Sequence, residues 1–204
     1  MASPVNPGKV EWSGENPGIY LKDDAGNWQT LSVFFKVVTS PFGAGTGLLV
    51  LGSPFEALAY PAANNACVGN NEPLMRWLID NYVSKFASFK GAAAVGCLPY
   101  LKANSFATTS ERGKFHQESV SAAGLEIALR WEDLAEPFAV DVAPAMSATG
   151  RHQMYSVFVE AQRGRIVVNG ASLPGNVIQR NFLDRRMSTA FLAFSETWIT
   201  PPGA

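Results

Sequence analysis

Residues 151–170 read RHQMYSVFVEAQRGRIVVNG, and the fold turns on this stretch. Segments 154–161 and 165–168 carry the β-branched and aromatic side chains that suit a pleated, half-buried surface. Gln162-Arg163-Gly164 reads as the turn between them, and Asn169-Gly170 as a second turn after them. On this reading the chain upstream supplies strands and one helix packed toward a hairpin. The chain downstream supplies the strand that closes the sheet.

Moving outward, the same signals recur on both sides. Residues 19–22 and 27–39 flank the turn Asp23-Asp24-Ala25-Gly26, and residues 114–121 and 125–131 flank Ala122-Ala123-Gly124. Leu125, Ile127, Leu129 and Trp131 alternate with Glu126, Ala128 and Arg130, which gives one apolar and one polar face. Within 27–39, Leu31, Val33, Phe35 and Val37 share one face, and Thr30, Ser32, Phe34 and Lys36 share the other. Further strands are read at 9–12, 56–60, 102–109, 138–142 and 187–200. One helix stands out near residues 72–90, capped by Asn70 or Asn71, with Pro73 in its first turn and Gly91 as its stop. Met75, Ile79, Tyr82, Phe86 and Phe89 line one side of it as a docking face.

These elements predict a mainly β chain of the α+β kind: an antiparallel β-barrel or strongly curved sheet whose one packed α-helix plugs an opening. The general strand pattern is similar to that of ligand-holding barrels of the calycin kind. That resemblance implies a lined interior able to hold a small molecule.

Composition narrows the function. With 204 residues the chain is long enough for one domain over 1–204 with a substantial core. Its 16 basic and 17 acidic residues leave a net charge of −1, and no run of like charges occurs. Nucleic-acid binding needs a clustered basic surface, and a polybasic membrane anchor needs the same, so neither partner is expected. The N-terminal segment has no secretory pattern and no apolar run is long enough for a bilayer, which makes a cytoplasmic location the expectation. Cys67 and Cys97 read as buried free thiols. The glycine-rich stretch PFGAGTG at 41–47 is followed by the strand-like LLVLG, not by a helix, so it does not form a phosphate loop. No metal site and no cofactor are expected from the residue spacings.

The candidate chemistry rests on a few polar residues set among aromatics. In the last strand Glu196 falls between Phe194 and Trp198 on one face, where burial would raise a carboxyl's pKa toward general acid or base work. His116 and Glu118 stand two apart on one strand and share a face, as a proton-transfer pair would. His152 shares a face with Met154, Ser156, Phe158 and Glu160. Arg130 suits an anion or a pairing with Glu118 across the hairpin, and Lys36, among apolar neighbours, suits either an edge-strand guard or a Schiff-base amine. Phe34, Tyr155, Phe158, Phe194 and Trp198 are the candidate apolar liners. These face assignments assume unbroken alternation; a single bulge reverses every side chain beyond it.

Two functions fit. The first is a β-barrel that binds a small apolar or aromatic molecule, with cofactor-independent acid–base catalysis of the isomerase, lyase or cyclase type as its catalytic form. Whether it is an enzyme stays open at this level. The alternative is a homo-oligomeric interaction or assembly protein whose apolar strands form a subunit interface, with no catalytic site.

Overall fold

The computed structural model describes residues 7–52, 54–55 and 64–203, so the strand expected at 56–60 lies outside the described residues. β1 (Lys9–Glu15) and β2 (Gly18–Lys22) run on into each other through Asn16-Pro17. β3 (Trp28–Thr39), β4 (Gly45–Leu51) and β5 (Asn65–Gly69) continue as an antiparallel meander. α1 (Glu72–Asn81) follows, then a connection of short 3-10 turns. Beyond it come β6 (Tyr100–Glu111), β7 (Phe115–Ala122), β8 (Leu125–Leu134) and β9 (Phe138–Val142). β10 (Gln153–Val168) turns into the short β11 (Ala171–Ser172). A separate hairpin of β12 (Gln179–Phe182) and β13 (Arg185–Ser188) precedes the last strand, β14 (Ala190–Thr200).

Nine strands close into a barrel in the order β2-β3-β4-β5-β6-β7-β8-β10-β14 and back to β2. The mainly β barrel with one packed helix is therefore present. All neighbours are antiparallel except β5 and β6, whose parallel register sets Cys67 against Tyr100 and Gly69 against Lys102. A parallel pair needs a crossover connection, and the segment containing α1 is that crossover.

The stretch that suggested a hairpin forms one continuous strand of 16 residues, so the turn expected at Gln162-Arg163-Gly164 does not occur. The first half of β10 pairs with β14 and β9, and the second half with β8. Between them the inward-facing set changes from Val159 and Ala161 to Ile166 and Val168, so the turn-like residues mark a change of face. A Cβ on Gly164 would stand 2.8 Å from the Ala190 Cβ and 3.1 Å from Ile19 Cγ2. Glycine serves close approach here, not chain reversal. Asn169-Gly170 does reverse the chain: both residues have positive φ, 49° and 81°, in the two-residue link from β10 to β11.

The barrel interior is packed with side chains from around the ring, among them Ile19, Phe34, Leu48, Val68, Ile127 and Trp131. Trp131 also donates from Nε1 to the Gly18 carbonyl at 2.9 Å, which ties β8 to β2 across the interior. The helix does not plug an opening; it lies outside. Its buried Leu74, Met75, Leu78 and Ile79 meet the outer face of β3, β4 and β5, including the Leu31, Val33, Phe35 and Val37 set. The glycine-rich stretch has its explanation here. A Cβ on Gly47 would lie 2.7 Å from Met75 Sδ, and one on Gly69 3.1 Å from Met75 Cγ, so two glycines seat one methionine.

Asn71 caps the helix, accepting from the Leu74 amide at 3.1 Å, but the helix stops at Asn81 rather than near 90. Asn81 and Ser84 donate back to the Trp77 and Asp80 carbonyls, side-chain bonds that compete with helical pairing. Tyr82 and Phe89 reach the same apolar layer from the turns beyond. Cys67 is buried and free, whereas Cys97, expected to be buried, is exposed at the end of a 3-10 turn. Lys36 is also exposed, 3.9 Å from Glu15, which ends the Schiff-base reading. Among the described residues no helix is long and apolar enough to cross a membrane.

Candidate functional site

The site begins with a defect in the last strand. Ser195 has a φ of 53°, and the register between β10 and β14 shifts between Tyr155 and Val157. Before this bulge the alternation is regular: Ala190, Leu192 and Phe194 face into the barrel, while Phe191 and Ala193 face out. After it the parity is reversed, and Trp198 belongs to the outer layer. Glu196 and Trp198 therefore lie together on the outside, and Phe194 does not share their face.

Outside β14 the layer formed by the helix connection and the β12–β13 hairpin leaves a cavity of about 430 Å³. Phe158, Phe191 and Trp198 form apolar wall, with Met154 and Phe182 beside them. Glu196 is buried, and its Oε1 accepts two bonds, from Trp198 Nε1 at 2.7 Å and from Asn16 Nδ2 at 3.2 Å. Both donors are neutral. Burial raises the carboxyl to about 7, and these two hydrogen bonds only partly offset that. Three further polar atoms of cavity-lining residues are buried without a partner: Asn16 Oδ1, Ser88 Oγ and Arg180 Nε. Tyr20, also on the wall, has its hydroxyl pKa pushed up by burial.

The other expected site residues lie elsewhere. His116 and Glu118 are indeed joined, Nε2 to Oε1 at 2.9 Å, and Thr108 Oγ1 donates to Glu118 Oε2 at 2.8 Å. This pair faces the barrel's interior side, with His116 against Trp131 and Phe194 in a separate cleft. It does not meet Glu196, so the two do not form one acid–base set. His152 stacks on Tyr82 at 5.5 Å and also touches the Trp198 ring, but it opens into another cleft beside Glu11 and Arg151. Burial, reinforced by Arg151, holds its imidazole below the usual histidine range. Trp198 thus stands between His152 and Glu196.

Of the expected liners, Phe158 and Trp198 border the cavity, Phe34 is sealed in the barrel core, and Tyr155 is exposed. Arg130 does not approach Glu118, which lies on the opposite face. It pairs with Glu132 at 2.9 Å and covers the Phe115 ring, and Arg165 completes this surface network from β10. Bonding to Arg130 first, and to Arg165, keeps the Glu132 carboxyl low.

Asn16, Ser88 and Arg180 share no sequence pattern. Their segments, a proline-containing bend, a 3-10 connection and a two-stranded hairpin, converge only in space. One local signal was available: Asn16-Pro17-Gly18 is a break between strand-like runs. Among the described residues no group of three or more His, Cys, Asp or Glu side chains is arranged to hold a metal ion. No protein-family model, curated protein or solved structure matches the chain.

Proposed function

We propose that the protein binds a small organic molecule in the outer-face cavity, its apolar body against Phe158, Phe191 and Trp198 and a polar group toward Glu196. The observation that carries this reading is the company Glu196 keeps. A buried carboxyl takes two neutral donors on one oxygen, and unpaired buried polar atoms surround the same space. Each such atom costs on the order of 1–3 kcal/mol, which a guest with complementary donors and acceptors would recover. Apolar walls with a few placed polar groups, around a few hundred Å³, are the usual form of a small-molecule site.

The assembly reading loses its main support, because the apolar faces of β14 are covered within the chain, by the barrel on one side and the helical layer on the other. A second reading, proton transfer by Glu196, has one observation in its favour: a carboxyl poised near neutrality. Glu196→Gln keeps an acceptor for Trp198 and Asn16 and removes the proton. Under the catalytic reading it binds a substrate and fails to turn it over; unchanged turnover removes that reading.

The binding proposal is tested with an uncharged aromatic probe, 3-phenylpropanamide. Titration should change the tryptophan fluorescence of the unaltered protein and leave Trp198→Phe largely unresponsive, with calorimetry as an independent measure. No binding by calorimetry at concentrations up to about 10 mM would sink the cavity reading.

A further inference from the structure

Arg180 reaches the cavity from β12, and its surroundings differ from those of the arginines on β8 and β10. Arg130, Arg163 and Arg165 each pair with Glu132 or Asp133 near the surface. Arg180 has no acidic partner among the described residues. Its guanidinium carbon instead sits 5.4 Å from the Tyr20 ring centre, 5.7 Å from Phe182 and 5.8 Å from Phe191, with Nε buried and unpaired. Aromatic faces stabilise a cation but leave its N–H groups without acceptors. Lys85 borders the same cavity and likewise has no acid paired with it among the described residues.

We infer that Arg180 is an anion receptor and that the guest is an organic carboxylate with an aromatic or apolar body, an inference that rests on the cavity reading above. A carboxylate matches the planar guanidinium fork with two parallel hydrogen bonds, and a single negative charge balances the one half-buried cation on the wall. A phosphate dianion would bring a second negative charge that Arg180 alone does not balance, and Lys85, the other cation on the wall, is exposed. The rings around Arg180 already form apolar wall, so the guest's body follows its charged end without a change of environment. Partial burial also lowers the Arg180 pKa, as expected for a cation with reduced access to water and no counter-ion beside it. Glu196 in its protonated form offers this guest an O–H and no opposing charge.

The test compares 3-phenylpropionate with 3-phenylpropanamide, two probes of nearly equal shape that differ in charge, by calorimetry. The unaltered protein should bind the acid at least about tenfold more tightly than the amide. Arg180→Met and Arg180→Gln should each abolish that preference by weakening acid binding at least about tenfold, while measurable amide binding shows that the cavity has survived the substitution. Equal binding of acid and amide to the unaltered protein overturns the carboxylate inference and leaves the binding reading standing. A preference retained in either variant overturns the role of Arg180. Failure of both probes overturns the cavity reading and this inference with it.

Discussion

Along β14 from Ala190 to Thr200, the inward side meets a filled barrel and the outward side meets a cavity. Ala190, Leu192 and Phe194 look in; Phe191, Glu196 and Trp198 look out. Both sides are apolar, so composition does not separate them. What differs is how each space is bounded. A closed ring holds its walls at fixed spacing, and its interior fills with side chains to crystal-like density. The outer layer is built from a helix, 3-10 turns and a hairpin on connecting loops, and such parts can close over a space without filling it. The inward side of β14 is filled, and the polar groups available for a guest lie on its outward side.

The comparison predicts unequal costs of truncation. Trp131→Ala opens the barrel core and breaks the bond to Gly18, and should cost about 3–5 kcal/mol by urea denaturation. Phe182→Ala, on a half-buried cavity wall, should cost about 1 kcal/mol. Similar losses at the two sites would break the distinction.

The next effect belongs to Glu196 and depends on pH. Its carboxyl rises from an ordinary 4.5 to about 7, so the folded state holds the proton more tightly than the unfolded state does. The stabilisation is complete below pH 4.5 and is lost as pH rises through about 7, a fall of about 3 kcal/mol contributed by this group. Glu196→Gln should remove that component from the stability–pH profile and be the more stable form above pH 7. A variant profile that falls as steeply as the original would show that Glu196 is not held protonated.

The smallest effect sharpens the contrast without touching stability. Cys67 lies under the helix with its thiol raised by burial to about 12, whereas Cys97 is exposed. A thiol reagent should label one cysteine promptly in the native protein and the second only on unfolding. Prompt labelling of both would mean that the helical layer opens readily.

Local patterns carried much of the architecture. The Asp23–Gly26 and Ala122–Gly124 turns, the two faces of β3 and the Asn71 cap each depend on neighbours within a few residues, and all can be read from the chain. The continuity of β10 could not, because Gly164 is set by contact with Ile19 and Ala190, far away in sequence. The site was legible only in fragments. The strand pattern marks Glu196 as a carboxylate among apolar neighbours, but the bulge at Ser195 turns it to the other side of the sheet. Arg180, Asn16 and Ser88 have no shared motif, since only tertiary packing brings them together.

The parallel pairing of β5 and β6 has a consequence that is arithmetical. Strands around a ring can alternate up and down all the way only if their number is even. A ring of nine must contain at least one pair running the same way, and here there is one. Two such neighbours cannot be joined by a tight turn, so the chain has to travel back along the outside, as residues 70–99 do. Ser88 and Phe86 arrive on the cavity wall by that route. The odd count of strands thus obliges this barrel to carry an outer layer, and the space beneath that layer is where Glu196 sits.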